Sequence, residues 1–181
     1  MFARHTLILG LALVFGAGNA RAQAGQSTRG GSVARSLTSL VATHDDLAVR
    51  FRRLASAAIN AHSTATERAA LGRFVRAEIL SRLTVEASVL YPAFDSIIGG
   101  GYAVPATLFD LDGIWFLVKE IERTASASDR IEFVSRAYAL STALETYFTK
   151  TQLLVLPVLE ERLNAAGLNA VVTRLEQPNT P

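Results

Sequence analysis

The sequence predicts an all-α protein, an up-down-up-down antiparallel four-helix bundle. Three observations carry that prediction. Apolar residues recur at steps of three and four along four long stretches, and no stretch alternates as a strand would. Short segments with capping or helix-breaking residues separate those stretches, and short connections favour antiparallel neighbours. Finally, Glu86-Ala-Ser-Val-Leu-Tyr-Pro92 and Thr151-Gln-Leu-Leu-Val-Leu-Pro157 are two versions of one phrase, 65 residues apart. Each closes a helical stretch with an apolar triplet and a proline. The first copy has a carboxylate six residues before its proline, where the second has Thr151.

The bundle is expected over residues 33–167 of the 181. Before it, residues 1–24 read as a secretory signal peptide. Arg4 and His5 make a basic start, Thr6 to Ala17 is apolar, and Ala22-Gln23-Ala24 offers small residues for cleavage. The apolar run is short for a membrane span. Cleavage after Ala24 would leave residues 25–32 as a flexible Gly- and Ser-rich leader. The expected compartment is therefore the periplasm or the outside of the cell, with no membrane contact after cleavage.

The first helix is predicted from Val33 to Ala61, with Leu37, Leu40, Val41, Leu47, Phe51 and Leu54 inward. Thr64-Ala-Thr-Glu67 has the form of a capping box and opens the second helix. That helix runs to about Ser96, with Leu71, Val75, Ile79, Val89 and Leu90 inward. Gly99-Gly-Gly101 breaks the chain. Pro105 suits the first turn of the third helix, which runs to about Arg123 with Leu108, Leu111, Trp115 and Val118 inward. Ser126 or Ser128 opens the fourth helix, whose inner face carries Leu140, Leu144, Tyr147, Leu154 and Val158. Gly167 ends it or the segment just before. Residues 168–181 form a short final helix, from Leu168 to Leu175, and a tail. Pro92 and Pro157 are expected to kink or terminate their helices, because proline lacks the amide and crowds the preceding turn.

Charge excludes some functions. The 18 basic and 16 acidic side chains give a formal charge of +2. Arg4 and Arg21 belong to the signal, so the remaining chain has 16 of each and a net charge of zero. Neither a basic patch nor a long run of like charge points to nucleic acid. The chain has no cysteine, hence no disulfide and no lipid-modified cysteine. There is no Cys-x-x-Cys-His motif for haem, and the sole methionine is the initiator. Neither histidine of the mature chain has a hydrolytic triad context, and no phosphate-binding glycine loop follows a strand.

Extending the apolar stripes by helical steps shows which polar residues share them. His44 lies seven residues from both Leu37 and Phe51. Arg82 lies seven from Val75 and Val89, with Glu86 one turn on. Tyr147 lies seven from Leu140, with Thr151 one turn on. Antiparallel packing would bring these interruptions to one level. The expectation is a buried polar cluster of His44, Arg82, Glu86, Tyr147 and Thr151, faced by Leu111 and Trp115. Each has a plainer reading. A lone histidine is commonly a satisfied boundary residue. Arg82 and Glu86 can be an exposed i,i+4 pair. Tyr147 and Trp115 can be core aromatics. His62 lies about 27 Å along the helix from His44 and is expected in solvent.

The layout resembles the hemerythrin-like family, the HHE cation-binding domain, from about His44 to Leu163. The resemblance rests on His44-Asp-Asp-Leu, Glu86-x-x-Val-Leu-Tyr-Pro92, Leu111-Asp-Gly-Ile and Phe148-Thr-Lys-Thr-x-Leu-Leu-Val-Leu-Pro-Val-Leu159. It implies a di-iron centre held by histidines and two carboxylates, with His-x-x-x-Glu pairs on the second and fourth helices. His44 and Glu86 match that pattern. Arg82, Leu111, Tyr147 and Thr151 stand where the other ligands are expected. The resemblance thus implies a degenerate site with no bound metal or other cofactor. It suggests a non-catalytic binding, sensing or structural module rather than an enzyme. Proteins and small molecules remain the partner classes. The alternative is a residual metal-binding protein with an oxygen- or peroxide-related role, using His44, Glu86 and Tyr147. In the first reading the Arg82 guanidinium fills space once held by metal and compensates the Glu86 charge.

Overall fold

The computed structural model describes residues 33–126 and 130–177. The expected signal peptide and leader, the candidate cap Ser128 and the last four residues lie outside the described residues. All regular structure among the described residues is helical, and there is no strand.

The first helix spans Val33–Ile59. The second is one continuous rod of Ala65–Phe74, a π-wound stretch Val75–Leu80, and Ser81–Ile98. The third is Ala103–Thr124. The fourth joins Arg130–Lys150, a π-wound Thr151–Val155 and Leu156–Arg162. The fifth is Ala165–Glu176. The first helix packs on the second and fourth, and the third on both of those. The fifth lies against the first and second and buries Val171, Val172 and Leu175.

Helix ends are built from side chains that satisfy otherwise orphaned backbone groups. The predicted capping box forms: Thr64 Oγ1 accepts from the Glu67 amide, and the Thr64 amide donates to the Glu67 carboxylate at 2.7 Å. That backbone donor holds the Glu67 carboxyl below its ordinary range. The Gly99–Gly101 break has all three residues at positive φ, from 64° to 93°, a conformation that a Cβ disfavours. Beyond it, the Asp95 carboxylate accepts from the amides of Ala103 and Val104 and so caps the third helix. Where the first helix meets the second and the third meets the fourth, Arg130 donates to the carbonyls of Ile59, Asn60 and Ala61, and Arg68 to those of Ala125 and Ser63. Both arginines place positive charge on carbonyl-rich helix termini.

Several expectations need correction. Pro92 and Pro157 do not end their helices, which continue to Ile98 and Arg162. Ahead of Pro157 the π turn widens the winding, and the Leu156 amide reaches back to the Thr151 carbonyl. A wider turn gives the proline ring room that a regular helix would not. The fourth helix is described from Arg130, and Ser126 sits in the preceding turn. Gly167 ends no helix, since its amide donates to the Asn164 cap in the first turn of the fifth.

Two inward faces also differ from expectation. On the third helix the buried residues are Thr107, Ile114, Val118, Ile121 and Thr124. Leu108 and Trp115 are exposed and Leu111 is only partly buried. On the fourth helix Leu154 is exposed, while Val155, Leu156 and Leu159 are buried. A π turn inserts one residue, so the face rotates by about 100° beyond it. The expected inward positions on the first and second helices are otherwise buried or partly buried.

Candidate functional site

The first, second and fourth helices each carry polar side chains into the core near mid-length. His44, Glu86 and Thr151 are completely buried, and Tyr147 nearly so. His44 comes from the first helix, on the same stripe as Leu37, Leu40, Leu47 and Phe51. Glu86 comes from the second helix, one turn beyond Leu83 and one before Leu90. Tyr147 and Thr151 come from the fourth, at the mouth of its π turn.

Glu86 is the hub. His44 Nε2 lies 2.9 Å from Oε1 and 3.0 Å from Oε2. Arg82 Nε donates to Oε1 at 2.8 Å. Arg82 is not inside the seam as the periodicity predicts. Its side chain is 26 % exposed, because the π turn at Val75–Leu80 puts Leu83 in the core instead. The guanidinium therefore closes the site from its edge.

The charges balance. Arg82 is positive and Glu86 negative, so the group is neutral with a neutral His44. His44 Nδ1 is buried without a hydrogen-bond partner, and the ring lies tilted against Phe148, with centroids 4.6 Å apart. An imidazolium would have to bury a second N–H with no acceptor, which costs more than an unpaired lone pair beside an aromatic ring. The neutral form, with its proton on Nε2 facing the carboxylate, fits these contacts.

Tyr147 and Thr151 form a separate layer. Thr151 Oγ1 lies 2.9 Å from the Tyr91 hydroxyl and 3.0 Å from the Tyr147 carbonyl. The Tyr147 hydroxyl donates to the Leu83 carbonyl over 3.4 Å. Burial first, and the nearby Glu86 charge second, push the Tyr147 hydroxyl well above its ordinary pKa, so it stays protonated. Lys150 pairs with Asp110 of the third helix and lies over the Tyr91 ring at 5.2 Å.

Tyr91 and Phe148 are site residues that stripe extension missed. Tyr91 was signalled by its place in the repeated phrase, directly before Pro92. Phe148 had no such signal beyond following Tyr147. Conversely, Trp115 does not face the cluster. It lies between Lys119 and Arg76, at 3.8 and 5.1 Å from its ring centre. Leu111 packs at the margin of the core. His62 is exposed, as expected.

The donor set does not fit a di-iron centre. The two side chains with suitable lone pairs, His44 and Glu86, are bonded to each other. The third member is a guanidinium, which has no lone pair to offer and repels a cation. No group of three or more His, Asp or Glu side chains suited to a metal occurs among the described residues. A small cleft beside Phe51, Arg52 and Ser141, between the first and fourth helices, has a volume of about 20 Å³. That is room for about one water. No protein-family model matches the chain, and no curated protein or solved structure matches it significantly.

Proposed function

We propose that this chain is a hemerythrin-like, up-down-up-down antiparallel four-helix bundle in which an arginine has replaced the metal. In this reading it is exported through its N-terminal signal. It acts in the periplasm or outside the cell as a non-catalytic binding, sensing or structural module. The observation that carries the reading is the closed, charge-balanced group of His44, Glu86 and Arg82. In it the carboxylate that a cation would need is already neutralised and hydrogen-bonded.

Pairwise contacts support the antiparallel order, because residue numbers fall on one helix as they rise on its neighbour. His44 meets Glu86 and Arg50 approaches Glu78. Arg68 meets Ala125 and Arg76 meets Glu122. Asp110 meets Lys150 and Arg123 meets Glu132. No helix among the described residues is long and apolar enough to cross a membrane.

Metal content is the test. The protein, expressed with iron and purified without chelator, is expected to be colourless and iron-free, with a melting temperature indifferent to chelators. About two irons per chain with oxo-bridge absorption would overturn the reading and favour oxygen chemistry. The Arg82→His variant is expected to remain iron-free, since it restores one ligand and leaves Tyr147, Thr151 and Leu111 in place. Mass spectrometry of the exported protein tests the signal, with an N-terminus at Gly25 expected.

A further inference from the structure

The outer ridge of the third helix is the least expected surface of the molecule. Tyr102, Phe109 and Phe116 recur there at seven-residue steps and are 79 %, 79 % and 55 % exposed. Seven residues are nearly two helical turns, so the three rings form one line along the helix. They expose on the order of 400 Å² of aromatic surface. Leu108 and Trp115 flank them, also exposed. Isolated exposed apolar residues are ordinary, whereas a continuous ridge of this size matches the largest apolar patch of a typical monomer, a patch that is often functional.

We infer that this ridge pairs with the same ridge of a second copy of the chain, as an antiparallel helix pair about a two-fold axis between Asp112 and Gly113. Phe109 and Phe116 are equidistant from that point, and the exposed Asp112 lies beside it, opposite Gly113 of the other copy. A residue and its mate across such an axis are equidistant from it. Phe109 then faces Phe116 of the other copy, twice. Tyr102 faces Arg123, whose side chain is 55 % exposed. The guanidinium can keep its edges on Glu120 and Glu132 while its flat face lies on the Tyr102 ring.

Gly113 supplies the close approach. Glycine within a helix costs about 1 kcal/mol relative to alanine, and a Cβ added here would meet nothing within 4 Å. No contact among the described residues demands this glycine. At the crossing point of two helices, it lets the backbones come together. With the flanking residues, the two ridges would bury on the order of 1,000 Å² in total, the lower bound of a specific interface. The inference is independent of the metal question, since no residue of the His44–Glu86 site takes part.

Analytical ultracentrifugation of the purified protein, from micromolar to submillimolar concentration, tests it. A dimer is expected. Phe109→Glu should weaken it roughly a hundredfold, because each glutamate would face a phenylalanine. Adding Phe116→Lys to Phe109→Glu should recover the dimer, because only the antiparallel pairing sets these two positions opposite each other. Gly113→Leu should weaken the dimer while leaving the melting temperature of the dissociated chain equal or higher. That combination separates loss of contact from loss of fold. A chain monomeric throughout this range overturns the inference. So does a dimer indifferent to Phe109→Glu, or a double variant no tighter than the single one. Binding of a monomer to anionic phospholipid vesicles would also overturn it and assign the ridge to a membrane surface.

Discussion

The second and fourth helices carry the same phrase and use it differently. In the second, the position six before the proline holds Glu86, which binds His44 and Arg82. In the fourth it holds Thr151, which binds Tyr91 from the opposite phrase. One helix brings a charge into the core, and the other a hydroxyl. The charge requires partners on two sides, whereas the hydroxyl is satisfied by one tyrosine and its own helix backbone. The π turns differ as well. In the fourth helix the widening starts at Thr151 itself, directly ahead of Pro157. In the second it lies at Val75–Leu80, before the site, and sets which of Arg82 and Leu83 enters the core. Matched sequence phrases thus do not give matched chemistry.

Removing the charge should cost most. Glu86→Ala leaves His44 and Arg82 without their acceptor and is expected to lower unfolding free energy by about 3–5 kcal/mol, read by urea denaturation. Replacing the pair together should cost less. Arg82→Met with Glu86→Leu removes both charges but leaves the His44 Nε2–H without an acceptor, so a loss of about 1–3 kcal/mol is expected. A loss as large as that of Glu86→Ala would show that His44 depends on the carboxylate more than on charge balance.

On the fourth-helix side the effects should be smaller. Thr151→Val keeps the shape and leaves the Tyr91 hydroxyl unpartnered, at a cost of about 1–2 kcal/mol. If that substitution cost as much as Glu86→Ala, the contrast between the two phrases would fail. Tyr147→Phe should cost least near neutrality, about 0.5 kcal/mol, because its hydrogen bond is long. Its effect should appear with pH. Burial raises the folded pKa of Tyr147 above the unfolded value near 10. Its contribution is therefore complete below that pH and declines as pH rises beyond it. The decline approaches about 1.4 kcal/mol per pH unit. Urea midpoints measured across that range should fall less steeply in Tyr147→Phe than in the parent.

Local sequence determined the helices, their caps and their breaks. The Thr64 capping box and the glycines at 99–101 act within a few residues of chain, and such chemistry can be read directly. It also determined that His44, Glu86, Tyr147 and Thr151 are buried, because each sits near the middle of an apolar stripe. Only tertiary structure decided the rest. Stripe extension assumes a constant helical period, and each π turn breaks that assumption by one residue. Hence Arg82 moved to the edge, Leu154 to the surface and Val155 to the core. On the third helix, Leu108, Phe109, Leu111, Ile114, Trp115, Phe116 and Val118 place apolar groups on nearly every face. Periodicity cannot choose among such faces. The choice fell to packing against the second and fourth helices, which buried Ile114, Val118 and Ile121 and left the Tyr102–Phe109–Phe116 ridge outside.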